Sequence, residues 1–367
     1  MSIDKFKVMT IIGTRPEIIR LSRVIEKLDE NVNHSMVFTN QSYDYELSTV
    51  FFDQLNIRKP DYFLNVRGET IGIQIANILR QTEVVLDKEQ PDAVLILGDT
   101  NSSLSSILAK RKKILIFHME AGNRCFDWEV PEEINRRIVD HISDYNLAYT
   151  EHARRNLLQE GIPSDTIIVT GSPLKEVYEY YQKDIDASDI LNKLKLNEGE
   201  YIIISCHREE NINNKARMKN LFESLQLIKE LYKKRIIVSL HPRTRLEIDC
   251  NAWEKSGIEL FKPFGFFEYA NLEKYAFCVL SDSGTIQEES AMLNFPAIQI
   301  RYSTERPEAF DAGSIVVCGL TKNSVIQAVS LSTIKDTDSE IPVDYTKRNV
   351  STKVVKYIVG MIGTRKR

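Results

Sequence analysis

Short apolar runs alternate with longer amphipathic segments along most of the chain. Runs such as Ala93-Val-Leu-Ile-Leu97 and Ile114-Leu-Ile-Phe117 are continuously apolar, the pattern of parallel strands covered on both faces. Strands are expected at 8–12, 35–39, 93–97, 114–118, 147–149 and 167–169 in the first half. In the second half they are expected at 201–205, 235–239, 258–261, 277–281, 297–300 and 315–317. Amphipathic stretches such as 71–87 and 218–232 fall between them as helices. A series of strand-then-helix units predicts an α/β chain with a doubly wound parallel sheet in each half.

At 367 residues the chain exceeds what one hydrophobic core usually supports, so two domains are expected. Gly171-Ser-Pro173 closes the first series and the hydrophilic stretch 182–200 precedes the second, which places the linker near Gly171. The expected domains are 1–171 and 172–350, with a final helical segment, about 351–367, crossing back to the first.

Composition narrows the function. The net charge is -4, the isoelectric point is near 6.0, and no long basic block occurs, which argues against nucleic acid as the main partner. Five scattered cysteines without a C-x-x-C pair fit a reducing cytoplasm. No apolar run reaches membrane-spanning length and the first apolar strand is too brief for a signal-peptide core, so a soluble intracellular protein with no membrane partner is expected.

The chemistry gathers where strands end, which is where open α/β sheets bind ligands. In Ile12-Gly-Thr-Arg-Pro-Glu-Ile-Ile-Arg20, Pro16 opens a helix whose free amides and positive dipole end make a phosphate seat, with Arg15 adding charged donors. The alternative is an ordinary glycine turn with a solvated arginine. The glycine spacing is not the dinucleotide fingerprint. Ser281-Asp-Ser-Gly-Thr-Ile-Gln-Glu-Glu-Ser290 repeats the design: Ser283, Gly284 and Thr285 offer donors to phosphate, and Glu289 stands where it can bind ribose hydroxyls. Its plain alternative is a pair of acids favouring a first helical turn.

Asp99, Glu120, Asp127, Glu132, Glu133 and Arg136 form an acid-rich group with Arg124 nearby in sequence. Glu132 and Arg136, four apart, share one helical face, while Ile134, Ile138 and Ile142 make an apolar stripe expected to face the core. A surface ion pair accounts for that spacing alone, but Asp99 and Glu120 also follow buried strands, where carboxylates are costly unless employed. His207, in Ser205-Cys-His-Arg-Glu-Glu-Asn211, and His241 also follow strands, and His207 is placed to donate to a diphosphate. The histidines lack the spacing of a metal site, and Cys206 reads as a small buried residue. Arg306, in Ser303-Thr-Glu-Arg-Pro-Glu-Ala309, either binds phosphate, braces a carboxylate such as Glu289, or forms a salt bridge between domains.

Together these motifs resemble the non-hydrolysing UDP-N-acetylhexosamine 2-epimerases. The matching pieces are Gly13-Thr-Arg-Pro-Glu17, Gly98-Asp-Thr100, Glu120-Ala-Gly122, Pro131-Glu-Glu133 with Asn135-Arg136, His207-Arg208, Asp282-Ser-Gly284 with Ile286-Gln-Glu-Glu289, and Thr304-Glu-Arg-Pro-Glu308, in family order across nearly the whole chain. The resemblance implies two Rossmann-like domains of the glycosyltransferase-B type, an active site in the cleft between them, usually a homodimer, and no cofactor. It implies a reaction in which a base removes the C2 proton as UDP leaves C1, followed by re-addition with protonation of the opposite face. Asp99, Glu120 and Glu132 match the catalytic acids, with Arg136 and His207 beside them. Arg15, Arg20, Ser283, Gly284, Thr285, Glu289 and Arg306 fall in the motifs that hold substrate and UDP.

Three departures from the commonest members stand out. Asn123-Arg-Cys-Phe-Asp127 replaces Leu-Arg-Thr in a shorter loop, Arg20 stands where Lys is usual, and Gln41-Ser42 replaces a Gln-His pair. The loop resembles the capsule and O-antigen branch that converts UDP-2-acetamido-2,6-dideoxy-L-talose into UDP-N-acetyl-L-fucosamine. Rival readings are an epimerase of UDP-N-acetylglucosamine, a hydrolysing epimerase, a retaining glycosyltransferase, and a sensor of sugar nucleotides.

Overall fold

A computed structural model describes residues 5–40, 51–334 and 340–364. The chain divides into one unit of Met1–Val177 with Thr346–Arg367 and a second of Tyr178–Tyr345. The first unit therefore ends six residues beyond Gly171, inside the helix Leu174–Tyr180.

The first unit is built on seven parallel strands: β1 (Lys7–Ile12), β2 (Asn33–Phe38), β3 (Tyr62–Phe63), β4 (Ala93–Leu97), β5 (Leu115–Ala121), β6 (Tyr145–Ala148) and β7 (Ile167–Val169). Their order is β3-β2-β1-β4-β5-β6-β7. Every residue of β4 and β5 is buried, as a sheet covered on both faces requires. The helix Arg15–Asn31 lays Ile18, Leu21, Val24, Ile25 and Leu28 against the core at three- and four-residue spacing. Ile71–Glu89 is capped by the Thr70 hydroxyl, which accepts from the Ile73 amide. The two-residue edge strand β3 has too little periodicity to be read from sequence.

The C-terminal helix Val350–Thr364 packs on Arg15–Asn31 in this unit. It is fastened by the Ser351 amide donating to Glu176 at 2.9 Å and by Tyr357 meeting Phe117 and Tyr145 edge-on. Among the described residues no helix is long and apolar enough to cross a membrane.

The second unit carries six parallel strands: β8 (Tyr201–Ser205), β9 (Arg235–Ser239), β10 (Ile258–Phe261), β11 (Cys278–Ser281), β12 (Ala297–Ile300) and β13 (Val316–Cys318). Their order is β10-β9-β8-β11-β12-β13. Side chains such as Ile202, Ile204, Leu221, Leu225 and Ile228 form the core on one face of this sheet, and Ile203, Ile237, Leu272 and Val279 form it on the other. Both sheets are doubly wound α/β, the Rossmann-like class expected from the alternating pattern.

Candidate active site

In each unit the strand order reverses at one place. After β1 the chain builds β2 and β3 on one side, then starts again at β4 on the other, so the loops leaving β1 and β4 diverge. The same reversal separates β8 from β11 in the second unit. Crevices at such switch points are where doubly wound sheets bind ligands. The sequence motifs sit there: Gly13 to Arg20 after β1, Gly98 to Asn101 after β4, Cys206 to Asn211 after β8, and Asp282 to Glu289 after β11.

Register brings two of the predicted acids together. Leu97 lies opposite Met119 in the pairing of β4 with β5, so the Gly98-Asp99 turn and Glu120 are neighbours. Glu120 does not follow the strand as expected. It occupies an irregularity within β5, between Met119 and Ala121, with φ of 66°. Gly98 itself has φ of 71°, a conformation glycine tolerates, and a Cβ there would lie 2.9 Å from Glu120 Oε2. Arg20 pairs with Glu120, while Arg136 pairs with Asp99 through Nη2 at 2.6 Å and Nε at 2.9 Å. The Asn135 amide donates to the Asp99 carbonyl at 2.9 Å.

The helix Pro131–Ile142 is turned differently from its apolar pattern. Ile134 and Ile138 are exposed, and the buried face is Glu133, Asn135, Arg136, Val139 and Asp140. Arg136 meets Asp99 and, three residues back, Glu133. The polar face turns inward because every charge on it finds a partner, which offsets the cost of burial. Glu132 sits half-buried in the first turn.

Those partners form a closed circuit that sequence reasoning missed. From Asp99 it runs through Arg136 to Glu133, then to Arg137 at 2.9 Å, to Glu160 at 2.8 Å, and to Arg124 at 2.6 Å. Arg124 holds Asp140 at 2.7 Å, Asp140 holds His118 Nδ1 at 2.8 Å, and His118 Nε2 meets the Gly98 carbonyl at 2.9 Å, back at the starting turn. Burial works against the Asp140 charge, but His118 and Arg124 outweigh it and hold the carboxyl below its usual range. The alternation of Glu133, Arg136, Arg137 and Asp140 on one helix was the available signal. The loop Gly122 to Val130 is tied to the circuit by the Cys125 amide donating to Glu133 at 3.1 Å. Its Phe126 and Trp128 are exposed, with the Arg137 guanidinium 5.8 and 5.0 Å from their ring centres. Cation–ring contacts of this kind hold a guanidinium against an aromatic face.

The turn after β1 departs from the phosphate-seat reading at one donor. The Gly13 amide donates to Glu17 Oε2, and the Thr14 hydroxyl donates to Glu17 Oε1 at 3.1 Å, so the turn's own carboxyl occupies that place. Burial pushes the Glu17 carboxyl up to about 7 against the lowering effect of the Gly13 amide. Arg15 lies with its guanidinium 5.6 Å from the Phe51 ring centre. Gln41 and Ser42 lie outside the described residues.

In the second unit, Asp282 is the anchor. Fully buried, it accepts from the His207 and Arg208 amides at 3.0 and 2.9 Å and from Asn211 Nδ2 at 3.1 Å, and so shapes the turn after β8. Burial raises its carboxyl, yet the His207 charge and the two amides prevail and hold it below the ordinary range. The His207 and His241 rings stand 5.9 Å apart. Burial and Asp282 push the Cys206 thiol well above its usual range, in keeping with a structural rather than nucleophilic residue. Ser283 and Thr285 share a hydroxyl contact at 2.9 Å, and Thr285 donates to Glu289 at 3.0 Å. Gly284 is needed for its size, since a Cβ would lie 2.5 Å from Glu305 Oε1. Arg306 is buried and pairs with Glu288 at 3.2 Å and Glu305 at 3.6 Å, within its own unit. Glu273, unremarked in the sequence, is pushed well above the carboxylate range by burial and by Glu289.

A family model described as UDP-N-acetylglucosamine 2-epimerase matches residues 26–359. A UDP-N-acetylglucosamine 2-epimerase structure from Rickettsia bellii resembles the chain with a TM-score of 0.91 at 45% identity, covering 98% of this chain and 97% of that one. The Methanocaldococcus jannaschii UDP-GlcNAc 2-epimerase, solved in complex with UDP-GlcNAc and UDP, gives a TM-score of 0.91 at 37% identity, covering 97% and 100%. A UDP-2,3-diacetamido-2,3-dideoxy-D-glucuronate 2-epimerase from Pseudomonas aeruginosa is 32% identical over 363 residues, 97% of this chain and 100% of the relative. Two doubly wound units with an arginine-braced acid pair at one switch point, and a match spanning nearly the whole length, place the chain in the UDP-N-acetylglucosamine 2-epimerase family of isomerases.

Proposed function

We propose that this isomerase inverts C2 of a UDP-N-acetylhexosamine by elimination and re-addition of UDP. The observation that carries the reading is the pair Asp99, just past β4, and Glu120, in the irregularity of the adjacent β5, each gripped by an arginine from a different helix. Inversion at C2 needs a base on one face of the sugar and an acid on the other. One carboxylate takes the C2 proton, the C–H electrons form the C1–C2 double bond, and UDP leaves with the C1–O pair. UDP then adds back to C1 while a proton reaches C2 from the opposite face. The steps balance without an electron acceptor. Asp99, Glu120 and Glu132 carry the protons, and Arg136 and Arg20 hold the acids. Arg15, His207, Ser283, Gly284, Thr285, Glu289 and Arg306 serve the diphosphate and nucleoside, in a protein that acts as a homodimer.

The substrate in this reading is UDP-2-acetamido-2,6-dideoxy-L-talose, converted to UDP-N-acetyl-L-fucosamine for capsule or O-antigen synthesis. The support is the loop Asn123 to Asp127 with Pro131 to Arg136, and the apolar surface that Phe126 and Trp128 offer a C6 methyl. A second reading, UDP-N-acetylglucosamine to UDP-N-acetylmannosamine, is favoured by the names of the Rickettsia and Methanocaldococcus relatives. Offering each sugar nucleotide separately to the purified protein and resolving products by chromatography decides between them. Conversion of only the 6-deoxy sugar nucleotide supports the first, conversion of only UDP-N-acetylglucosamine the second, and accumulation of free UDP contradicts both.

A further inference from the structure

His118 is fully buried in the middle of β5, and both of its ring nitrogens face acceptors. Nδ1 lies 2.8 Å from an Asp140 carboxylate oxygen and Nε2 lies 2.9 Å from the Gly98 carbonyl. A carbonyl cannot donate, so Nε2 carries a hydrogen and donates to Gly98, while Nδ1 faces the Asp140 carboxyl. Asp140 has two further donors, Arg124 Nη1 at 2.7 Å and the Gly122 amide at 3.1 Å. His118 thus touches the turn that carries Asp99 and, through Asp140, the turn that follows Glu120.

Those two turns need fixing. Gly98, at φ of 71°, lacks the side chain that would restrict its peptide, and its carbonyl belongs to the peptide unit that leads into Asp99. Glu120 is held in a left-handed conformation, φ 66°, two residues before the Gly122 amide. A left-handed non-glycine residue persists only where its surroundings over-determine it. Arg20 and Arg136 grip the carboxylates themselves, whereas His118 and Asp140 grip the backbone beneath them, beside Asn135 on the Asp99 carbonyl and Asn156 on the Gly122 carbonyl.

We propose that His118 is a positioning residue: by holding the Gly98 carbonyl directly and the Gly122 amide through Asp140, it fixes the spacing of the Asp99 and Glu120 carboxylates. The inference rests on the epimerase reading of those two acids. His118 touches no reacting atom, and its effect is on the turnover step rather than on UDP binding, because the residues assigned to UDP lie elsewhere.

Two variants separate its contacts. In His118→Gln the side-chain amide can still donate to the Gly98 carbonyl, whereas in His118→Asn the shorter amide reaches only Asp140. Loss of alignment at this scale costs roughly tenfold to a hundredfold in rate. The expected result is such a fall in kcat for His118→Asn with KM and UDP affinity unchanged, partial restoration in His118→Gln, and thermal midpoints for the two variants that agree with each other. Equal kcat losses in both variants, or losses that track their thermal midpoints, would show a merely structural histidine and overturn the proposal. So would a His118→Asn enzyme with wild-type kcat. Wild-type protein under the same assay is the control: absence of epimerisation there rejects the epimerase reading itself, a different outcome from failure of the His118 variants.

Discussion

Arg136 places two guanidinium nitrogens, at 2.6 and 2.9 Å, on a single oxygen of Asp99, across from the turn that β4 delivers. The grip leaves the other carboxylate oxygen oriented, on a side chain that keeps 24% exposure. Replacing Arg136 with Met removes the grip while keeping bulk, and kcat is expected to fall roughly tenfold to a hundredfold. Arg136→Lys keeps charge but loses the planar fork, so its kcat should lie between the two. Steady-state kinetics on the three proteins check this; a lysine variant indistinguishable from Met would mean that charge is irrelevant there.

Glu17 makes stability depend on pH. Its carboxyl is raised from 4.5 to about 7, so the folded chain holds a proton that the unfolded chain has lost between those values. The sign is therefore unfavourable to the fold as pH rises: there is no penalty below 4.5 and the full one above about 7, worth roughly 3 kcal/mol. Glu17→Gln abolishes the titration and should gain on the wild type across that interval. Denaturant unfolding at pH 5 and pH 8 tests it, and parallel changes in the two proteins would refute it.

Asp282 behaves in the opposite sense. Its carboxyl is held below the ordinary value of 3.8, so its contribution is present above that value and is lost as pH falls through the lower, folded one. Asp282→Asn keeps one acceptor for the His207, Arg208 and Asn211 donors and should cost about 1–3 kcal/mol at neutral pH. The gap between variant and wild type should narrow in acid. UDP affinity should fall as well, because the His207 turn loses its support, and isothermal titration with UDP measures that.

Gly284→Ala is expected to force a clash. The new Cβ would lie 2.5 Å from Glu305 Oε1, and Arg301 holds Glu305 at 2.9 Å, so the carboxylate cannot swing aside cheaply. A loss of about 1–3 kcal/mol follows from overpacking of this kind, together with weaker UDP binding. Gly360→Ala supplies the contrast: it meets open space on the helix Val350–Thr364 and should stabilise by about 0.5–1 kcal/mol. Thermal unfolding of both variants gives the comparison.

The sheets were legible because buried strands write themselves as short, mainly apolar runs: 93–97, 201–205 and 297–300 coincide with β4, β8 and β12, with Ser205 at one end and Gln299 as the polar residue inside a run. Periodicity misled in the helix Pro131–Ile142, where Ile134 and Ile138 suggest an inward stripe but the charged face goes in. Nothing local announces that Arg20 meets Glu120 or that Glu160 bridges Arg124 and Arg137, since strand order brings those partners together. The bulge at Glu120 was hidden for the same reason, being a property of pairing rather than of residue type. Glu17, by contrast, lies within the motif, and its contact with the Gly13 amide four residues earlier was open to a local reading.

The most direct measurement is proton NMR of the purified protein in heavy water, with the 6-deoxy-L-talo sugar nucleotide and UDP-N-acetylglucosamine in separate tubes and no added cofactor. Deuterium at C2 in a new epimer, with the UDP linkage intact, is the expected result in at least one tube. Epimer formation with the C2 proton retained, or free UDP and sugar accumulating in place of an epimer, would contradict C2 inversion by elimination and re-addition of UDP.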